Sequence, residues 1–480
     1  MRVGESHIHI NSLPDNVLLE IFGSYQMDQD QCGFHPVWLR LAHICSRWRV
    51  ILFSSPHRLS LRLLCTYGTP VRKNLGCWPE LPLIIDYTYP SDNDFQRLTP
   101  YDEDNVVAAL ENSTRVRYVG VYVTNSLSRK MARAMQNPFP ALTHLFLLSR
   151  DEDNPTFPDA LFGRSASSLR IAHLEGIQIP SLPKFLSSAL GLVELRLVDI
   201  PRGSYISPEV MVTSLAALTK LVTLIIGFKS PPPLSERRQG PKMRIGFPSL
   251  TTFKFHGVKE YLEALLSQIV APQLGQLSIS YFNQLDFQVP ELSEFISRAQ
   301  NLCISRFTCA QVDFNVDNVS VRFCEPEALP AENHFALRIS CRGLDWQLGH
   351  LAQILGQLNT IHSNVGGLSI NTRALPPGGK ACGEDTVWLE LLRPFTTVET
   401  LHVSGKSAGH VARGLGGVTE EMLPVLRSLC LEDEPLTSVE HFVEARWLAG
   451  RAITVANSPA TFFGRPKSLR SWKEYLSYIL

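Results

Sequence analysis

The sequence predicts an α/β chain in which a small helical segment precedes an irregular array of strand-and-helix units. Three observations carry this. The spacing L-x-x-L-x-L recurs from about residue 140 onward, helix-like stretches lie between its copies, and the first sixty residues hold two amphipathic helical patterns instead. A unit made of one strand and one helix cannot bury its apolar side alone, so such units stack on their neighbours.

Complete copies occur at Leu142-Leu145-Leu147, Leu192-Leu195-Leu197, Leu221-Leu224-Ile226, Leu250-Phe253-Phe255, Leu274-Leu277-Ile279, Val365-Leu368-Ile370, Val398-Leu401-Val403 and Leu426-Leu429-Leu431. Weaker ones are Leu169-Ala172-Leu174, Leu302-Ser305-Phe307 and a copy ending Leu337-Arg338-Ile339. Successive starts lie 23 to 33 residues apart, which brackets the length of a leucine-rich repeat and runs longer where loops are inserted. Between the strands lie helices such as SPEVMVTSLAALTKL, with Ser207 as cap and Pro208 in the first turn, and KEYLEALLSQIV. The expected architecture is a leucine-rich-repeat solenoid, a curved parallel sheet with outer helices. The asparagine that ladders the turn after each strand is missing at nearly every copy, so those turns must satisfy their backbone groups in other ways.

The expected division is a helical domain over 8–60, a connecting segment and atypical first repeat over 61–139, the repeat array over 140–455, and a C-terminal tail or cap over 456–480. VRYVGVYV supplies the strand of that first repeat, and the Pro-rich basic stretch 229–244 reads as an exposed insertion.

Lysine plus arginine, 45, balances aspartate plus glutamate, 45, which argues against a general binder of nucleic acid or membrane surface. Ten cysteines contain no C-x-x-C pair, so no zinc ribbon or thioredoxin-type motif is expected. The opening MRVGESHIHINSLPDN lacks an apolar core of a signal peptide, and no run of eighteen apolar residues follows. A cytoplasmic or nuclear location is therefore expected, with reduced thiols and unused sequons at Asn112 and Asn318.

In NSLPDNVLLEIFGSY, Ser12 is a candidate N-cap, Pro14 suits the first turn and Asp15 complements the positive helix end. The apolar stripe is Val17, Leu18, Ile21 and Phe22. After a polar break from Met27 to Pro36, a second pattern places Leu41, Ile44, Cys45, Trp48 and Leu52 on one helical face. About 45 residues bury two such stripes poorly, so the downstream domain or a partner should cover the remainder.

The order Leu13-Pro14, Val17-Leu18-Leu19-Glu20-Ile21-Phe22, then Leu41-Ala42-His43-Ile44-Cys45-Ser46-Arg47-Trp48-Arg49 and Ser55-Pro56 resembles an F-box. The sequence departs from that family's pattern at Asn16, where glutamate is usual, and in the longer stretch from Gln26 to Pro36. The continuation RLSLRLLCTYGTPVRKNLGCWPELPLIIDY resembles a large group of basidiomycete fungal F-box proteins. The resemblance implies the substrate-receptor subunit of an SCF-type cullin-RING ubiquitin ligase. Leu13, Pro14, Val17, Leu18, Ile21, Phe22, Leu41, Cys45 and Trp48 would then serve a Skp-type adaptor, and through it cullin and RING subunits. The alternative is a non-catalytic repeat scaffold whose N-terminal helices merely cap the array.

The residue between the second and third anchors of each copy faces the inner curve. That row reads Phe146, His173, Arg196, Ile225, Lys254, Ser278, Arg306, Arg338, Ser369, His402 and Cys430. Four of eleven are basic and none is acidic, where about one basic residue is expected by composition. Arg196, Lys254, Arg306 and Arg338 are thus expected to bind a target with acidic or phosphorylated segments.

Catalysis is not expected. Gly405-Lys406-Ser407-Ala408-Gly409 matches G-x-S-x-G, with Asp433 and His441 in hydrolase order, but only eight residues separate that acid from that histidine and no oxyanion loop precedes the strand. Thr400 stands where a phosphate loop needs its first glycine. No catalytic residues, metal ligands or cofactor are assigned.

Overall fold

The computed structural model describes residues 10–29, 37–59, 61–88, 98–152, 154–164, 166–231, 244–299, 301–302, 307–325, 334–372, 385–405, 407–416, 422–432 and 439–456. The chain is mixed α/β and divides into two units, Met1–Gly191 and Leu192–Leu480. No helix among the described residues is long and apolar enough to cross a membrane.

The first unit opens with helices α1 (Asp15–Gln29), α2 (Val37–Ala42) and α3 (Ser46–Ser54). It continues through β1 (Leu63–Cys65), α4 (Val71–Asn74), β2 (Leu83–Tyr87), α5 (Pro100–Glu111), β3 (Val116–Tyr122), α6 (Asn125–Ala134), β4 (His144–Leu148), β5 (Ile171–Glu175) and α7 (Leu182–Ser188). The strands pair in chain order, all parallel. The sheet therefore begins at Leu63, well before residue 140, with two strands ahead of the one expected at VRYVGVYV.

The pattern expected to give one helix from Leu41 to Leu52 is two. The chain turns at His43 and Ile44, and Cys45 restarts it in extended geometry, its Sγ accepting from Trp48 N at 3.4 Å. A side-chain acceptor at that position satisfies a free first-turn N–H and makes the break stable.

The second unit runs β6 (Glu194–Ile200), α8 (Pro208–Leu215), β7 (Thr223–Phe228), β8 (Ile245–Gly246), β9 (Thr252–Gly257), α9 (Lys259–Leu266), β10 (Ile269–Val270), β11 (Gln276–Tyr281) and α10 (Pro290–Arg298). It continues with β12 (Cys309–Phe314), β13 (Asn318–Cys324), β14 (His334–Ser340), α11 (Leu344–Leu355), β15 (Gly367–Thr372), α12 (Asp385–Leu392), β16 (Thr400–Gly405), α13 (Ser407–Gly416), β17 (Ser428–Leu431), α14 (Glu440–Leu448) and β18 (Thr454–Ala456). Its main sheet has the order β6-β7-β9-β11-β14-β13-β12-β15-β16-β17-β18, and β8 pairs with β10 apart from it. Ser207 caps α8 as expected, accepting from Val210 N at 3.4 Å ahead of Pro208.

In all eight complete L-x-x-L-x-L segments the second and third anchors fall on a strand, with the first just ahead of it. Their second and third anchors are sealed from solvent, from Leu145 and Leu147 at 0% exposure to Leu429 at 0% and Leu431 at 1%. Alternation along each strand forces this: the anchors share one face, which the helices cover, and the residues between them share the other.

Where the turn asparagine is missing, main-chain bonds join residues just past one strand to the next strand's end or a neighbouring one: Val123 N donates to Leu148 O, Lys229 N to Ile200 O, Phe282 N to Gly257 O and Glu432 N to Val403 O. At the start of several strands two consecutive N–H groups donate to one carbonyl of the preceding repeat: Val222 and Thr223 to Val193, Thr251 and Thr252 to Val222, Gly275 and Gln276 to Thr251. The pattern resumes with Glu399 and Thr400 donating to Gly366, and with Arg427 and Ser428 donating to Glu399. Backbone groups flanking these strands are thereby paired.

One expectation about the sheet needs correcting. It is not wholly parallel, because β13 runs antiparallel to both β12 and β14. Three residues join β12 to β13, too few for a parallel crossover, and Asn315 N closes the hairpin on Asn318 O at 2.9 Å. Of the copy at Leu302-Ser305-Phe307, Leu302 and Phe307 lie ahead of the pairing that starts at Cys309, and Ser305 and Arg306 lie outside the described residues.

Candidate functional site

In the N-terminal helices, Leu18 (0% exposed), Phe22 (1%), Leu41 (7%) and Trp48 (6%) form the core. The Phe22 and Trp48 rings meet at 4.7 Å. These four cannot touch a partner directly. Val17, Ile21 and Tyr25 lie on the other side of α1 at 37%, 40% and 38% exposure, with Pro14 exposed and Leu13 half-buried just ahead of them. Spaced by four residues, they make one outward stripe. Cys45 is half-buried and committed to capping α3, and Ile44, at 58% exposure, faces solvent instead of the core. Arg47, absent from the expected site, ties the halves together: its guanidinium donates to Leu13 O at 2.7 Å and to Asp15 Oδ1 at 2.6 Å.

On the helix-free face of the first unit's sheet, the rings of Tyr118, His144, Phe146 and His173 follow one another from β3 to β5 at centroid spacings of 5.4 to 6.0 Å. Tyr118 lies back over Gly120, where an added Cβ would stand 2.8 Å from the ring.

The equivalent face of the second unit is polar and carries the basic residues. Strand pairing aligns Arg196, Ile225, Lys254, Ser278, Ala336, Arg322, Gln311, Ser369, His402 and Cys430 in one row. Arg338 is therefore not in the row expected for it. Leu277 faces Phe335 and Ile279 faces Leu337, which sets Arg338 opposite Ser280, one step nearer the carboxyl ends. Phe335, Leu337 and Ile339 all point inward, so sequence spacing permits either phase and only pairing chooses between them. Arg322 occupies the row instead. The alternation of Val319, Val321 and Phe323 with Ser320, Arg322 and Cys324 was the signal for it. Arg306 lies outside the described residues.

Arg196 pairs with Glu194 two residues back on its own strand. Lys254 has no ion-pair partner among the described residues, and burial, reinforced by the Arg196 charge and opposed by Glu194, holds its ammonium down to about 8. His256, two residues on, is pushed down to about 4 by burial and then by Arg338, so it is neutral at physiological pH. Unfolded chain keeps a lysine proton up to about 10.4. Between about pH 8 and that value the unfolded state binds more protons, so this group makes stability rise with pH there, while below about 8 its burial cost is constant. Lys254→Met should raise the urea midpoint at pH 7 and flatten the rise above pH 8; a lowered midpoint at pH 7 would contradict the account.

Further along the face a hydrogen-bonded chain crosses three strands, β12, β15 and β16. Gln311 and Asn371 donate to Asp313, at 2.9 and 3.2 Å, and Ser404 donates to Asn371 Oδ1 at 2.7 Å. His402 stands 3.4 Å from Ser369 Oγ and 3.6 Å from Glu432 Oε1. The composition is that of a Ser-His-acid set, but β15 is laddered on both sides, leaving no free pair of N–H groups to hold an oxyanion.

At the G-x-S-x-G match, Gly405 takes a φ of +70° at the end of β16, where an added Cβ would lie 2.5 Å from Thr372 O. Ser407 opens α13 at 1% exposure and donates to Ser404 O at 3.0 Å, while His441 is exposed on α14. The turn serves close passage of two strand ends and the serine closes its own turn; Asp433 lies outside the described residues. No known family model matches the chain, and comparison with curated proteins yields no match.

Proposed function

We propose that this chain is the substrate-receptor subunit of an SCF-type cullin-RING ubiquitin ligase, with α1 to α3 as an F-box docking on a Skp-type adaptor. The strand-and-helix units are read as degenerate leucine-rich repeats, and the basic open face of the second unit as the surface that holds an acidic or phosphorylated target. Chemistry would be supplied by the cullin and RING subunits.

The observation that carries this reading is the two-sided character of α1. One side supplies Leu18 and Phe22 to the core, and the other keeps Val17, Ile21 and Tyr25 at the surface beside the Leu13-Pro14 start. Apolar stripes exposed in this way mark contact surfaces. A helix that merely capped the array would need only its inner side. Ile21→Asp in the full chain is expected to abolish capture of a purified Skp-type adaptor, weakening it at least about a hundredfold, while leaving the helical circular dichroism unchanged. Wild-type chain that is folded yet fails to bind the adaptor would sink the ligase reading in favour of a plain scaffold.

A further inference from the structure

The second unit's last described elements, α14 and β18, are built like those before them but are uncovered on one side. Its later helices pack on one another in order, α11 on α12, α12 on α13 and α13 on α14, and among the described residues none follows α14. Strand pairing sets Val455 of β18 beside Leu429 of β17, which makes it the second anchor of one more repeat. Leu429 is 0% exposed, whereas Val455 stays half-buried, and β18 has no neighbour on its far side among the described residues. A repeat without a successor exposes the side on which that successor would stack, and a bare strand edge is a template for other chains.

On this side lies a pocket of about 490 Å³. Val443, Trp447, Ile453 and Val455 line it, and its charged lining residues are Glu440 and Glu444, with no cation among them. Trp447 is 69% exposed. The two carboxylates are four residues apart on α14, in one row beside Val443 and Trp447. Neither makes an ion pair among the described residues, and the arginine of this helix, Arg446, is turned inward to the carbonyls of Leu423 and Leu426. The face is thus apolar and anionic.

The segment that follows β18 complements it in sequence. Residues 457–480, NSPATFFGRPKSLRSWKEYLSYIL, lie outside the described residues and hold four basic side chains against one acidic one. The spacing of Leu469, Trp472, Leu476 and Ile479 puts all four on one helical face, and Arg470 and Lys473, three apart, run along its flank. Reach is not limiting, because residues 457–468 can extend up to about 40 Å, several times the length of the nine-residue α14.

We propose that residues 457–480 fold back onto this face as the next layer, seating Trp472 and its apolar neighbours against Val443, Trp447 and Val455 while Arg470 and Lys473 meet Glu440 and Glu444. The occupant is this segment of the same chain because Val455 lines the pocket and the chain continues from Ala456, so the segment is held at a local concentration that a free partner does not match. A neutral or acidic segment would leave both carboxylates beside apolar surface without a counter-charge. The inference concerns neither adaptor nor target and stands apart from the receptor reading.

The test is hydrogen exchange and zero-length cross-linking of the full chain. Trp472→Asp should speed exchange over 440–456 at least about tenfold and leave β15 and β16 unchanged. Glu440→Lys with Glu444→Lys should act in the same direction, and adding Arg470→Glu with Lys473→Glu should restore most of the protection. In a mixture of isotope-labelled and unlabelled protein, carbodiimide should couple Glu440 or Glu444 to Lys467 or Lys473 within single chains. Exchange indifferent to Trp472→Asp, or charge reversal that the opposite reversal does not rescue, overturns the docking. Coupling only between labelled and unlabelled chains would seat a second copy on the face and overturn it as well.

Discussion

Trp48→Ala is expected to destabilise the three N-terminal helices by about 3–5 kcal/mol, the usual cost of emptying a buried aromatic site. Trp48 is 6% exposed, and its indole lies against Phe22, with Leu18 and Leu52 fully buried in the same core. So small a helical segment has little stability to spare. Limited proteolysis should cut between residues 15 and 54 much faster in the variant, and adaptor capture should fail with it. Trp48→Phe should behave nearly as wild type, because the indole N–H makes no hydrogen bond among the described residues. Unchanged protection in Trp48→Ala would show that the core does not depend on this contact. The contrast with Ile21→Asp separates the two sides of α1: one substitution removes folding and binding together, the other binding alone.

Arg446→Ala carries the second large effect, expected at about 3 kcal/mol, because it strands several buried acceptors at once. Arg446 is 7% exposed on α14. Its guanidinium donates to Leu423 O at 3.0 Å, Leu426 O at 2.9 Å and Pro424 O at 3.3 Å, and lies 5.9 Å from the centre of the Phe442 ring. Leu423 takes a φ of +50°, an unfavourable conformation for leucine, which this fork of donors helps hold. Lysine should not rescue it, since one ammonium on a flexible stem cannot serve several fixed carbonyls in a plane. Hydrogen exchange over 422–432 and 440–448 should accelerate strongly in Arg446→Ala and Arg446→Lys. Exchange equal to wild type would remove this latch from the account of the C-terminal region.

Leu195, Leu224, Phe253 and Leu277 were legible as strand anchors because alternation is a local property. A residue two places on returns to the same face whatever the partner strand, so the strands could be placed one by one. Ser207 and Pro208 at α8 were legible for a similar reason, since a helix end is satisfied by its own neighbours. The hairpin of β12 and β13 was not. Its apolar residues alternate as they do elsewhere, and direction of pairing leaves no mark on alternation. The place of Arg338 was lost through the same symmetry, because three inward residues in succession allow a register two residues either way.

The amino-acid sequence by itself determined the α/β class, the strands of the eight complete copies, the Ser207 cap of α8 and the apolar stripe Val17, Leu18, Ile21 and Phe22 of α1. Only the tertiary structure decided how that stripe divides, burying Leu18 and Phe22 and leaving Val17 and Ile21 outside. It alone decided that Arg322 stands in the basic row, and that Val443, Trp447 and Val455 share a pocket. The physical reason is common to all three. Periodicity states which residues share a face, but pairing and packing between distant segments choose what that face meets.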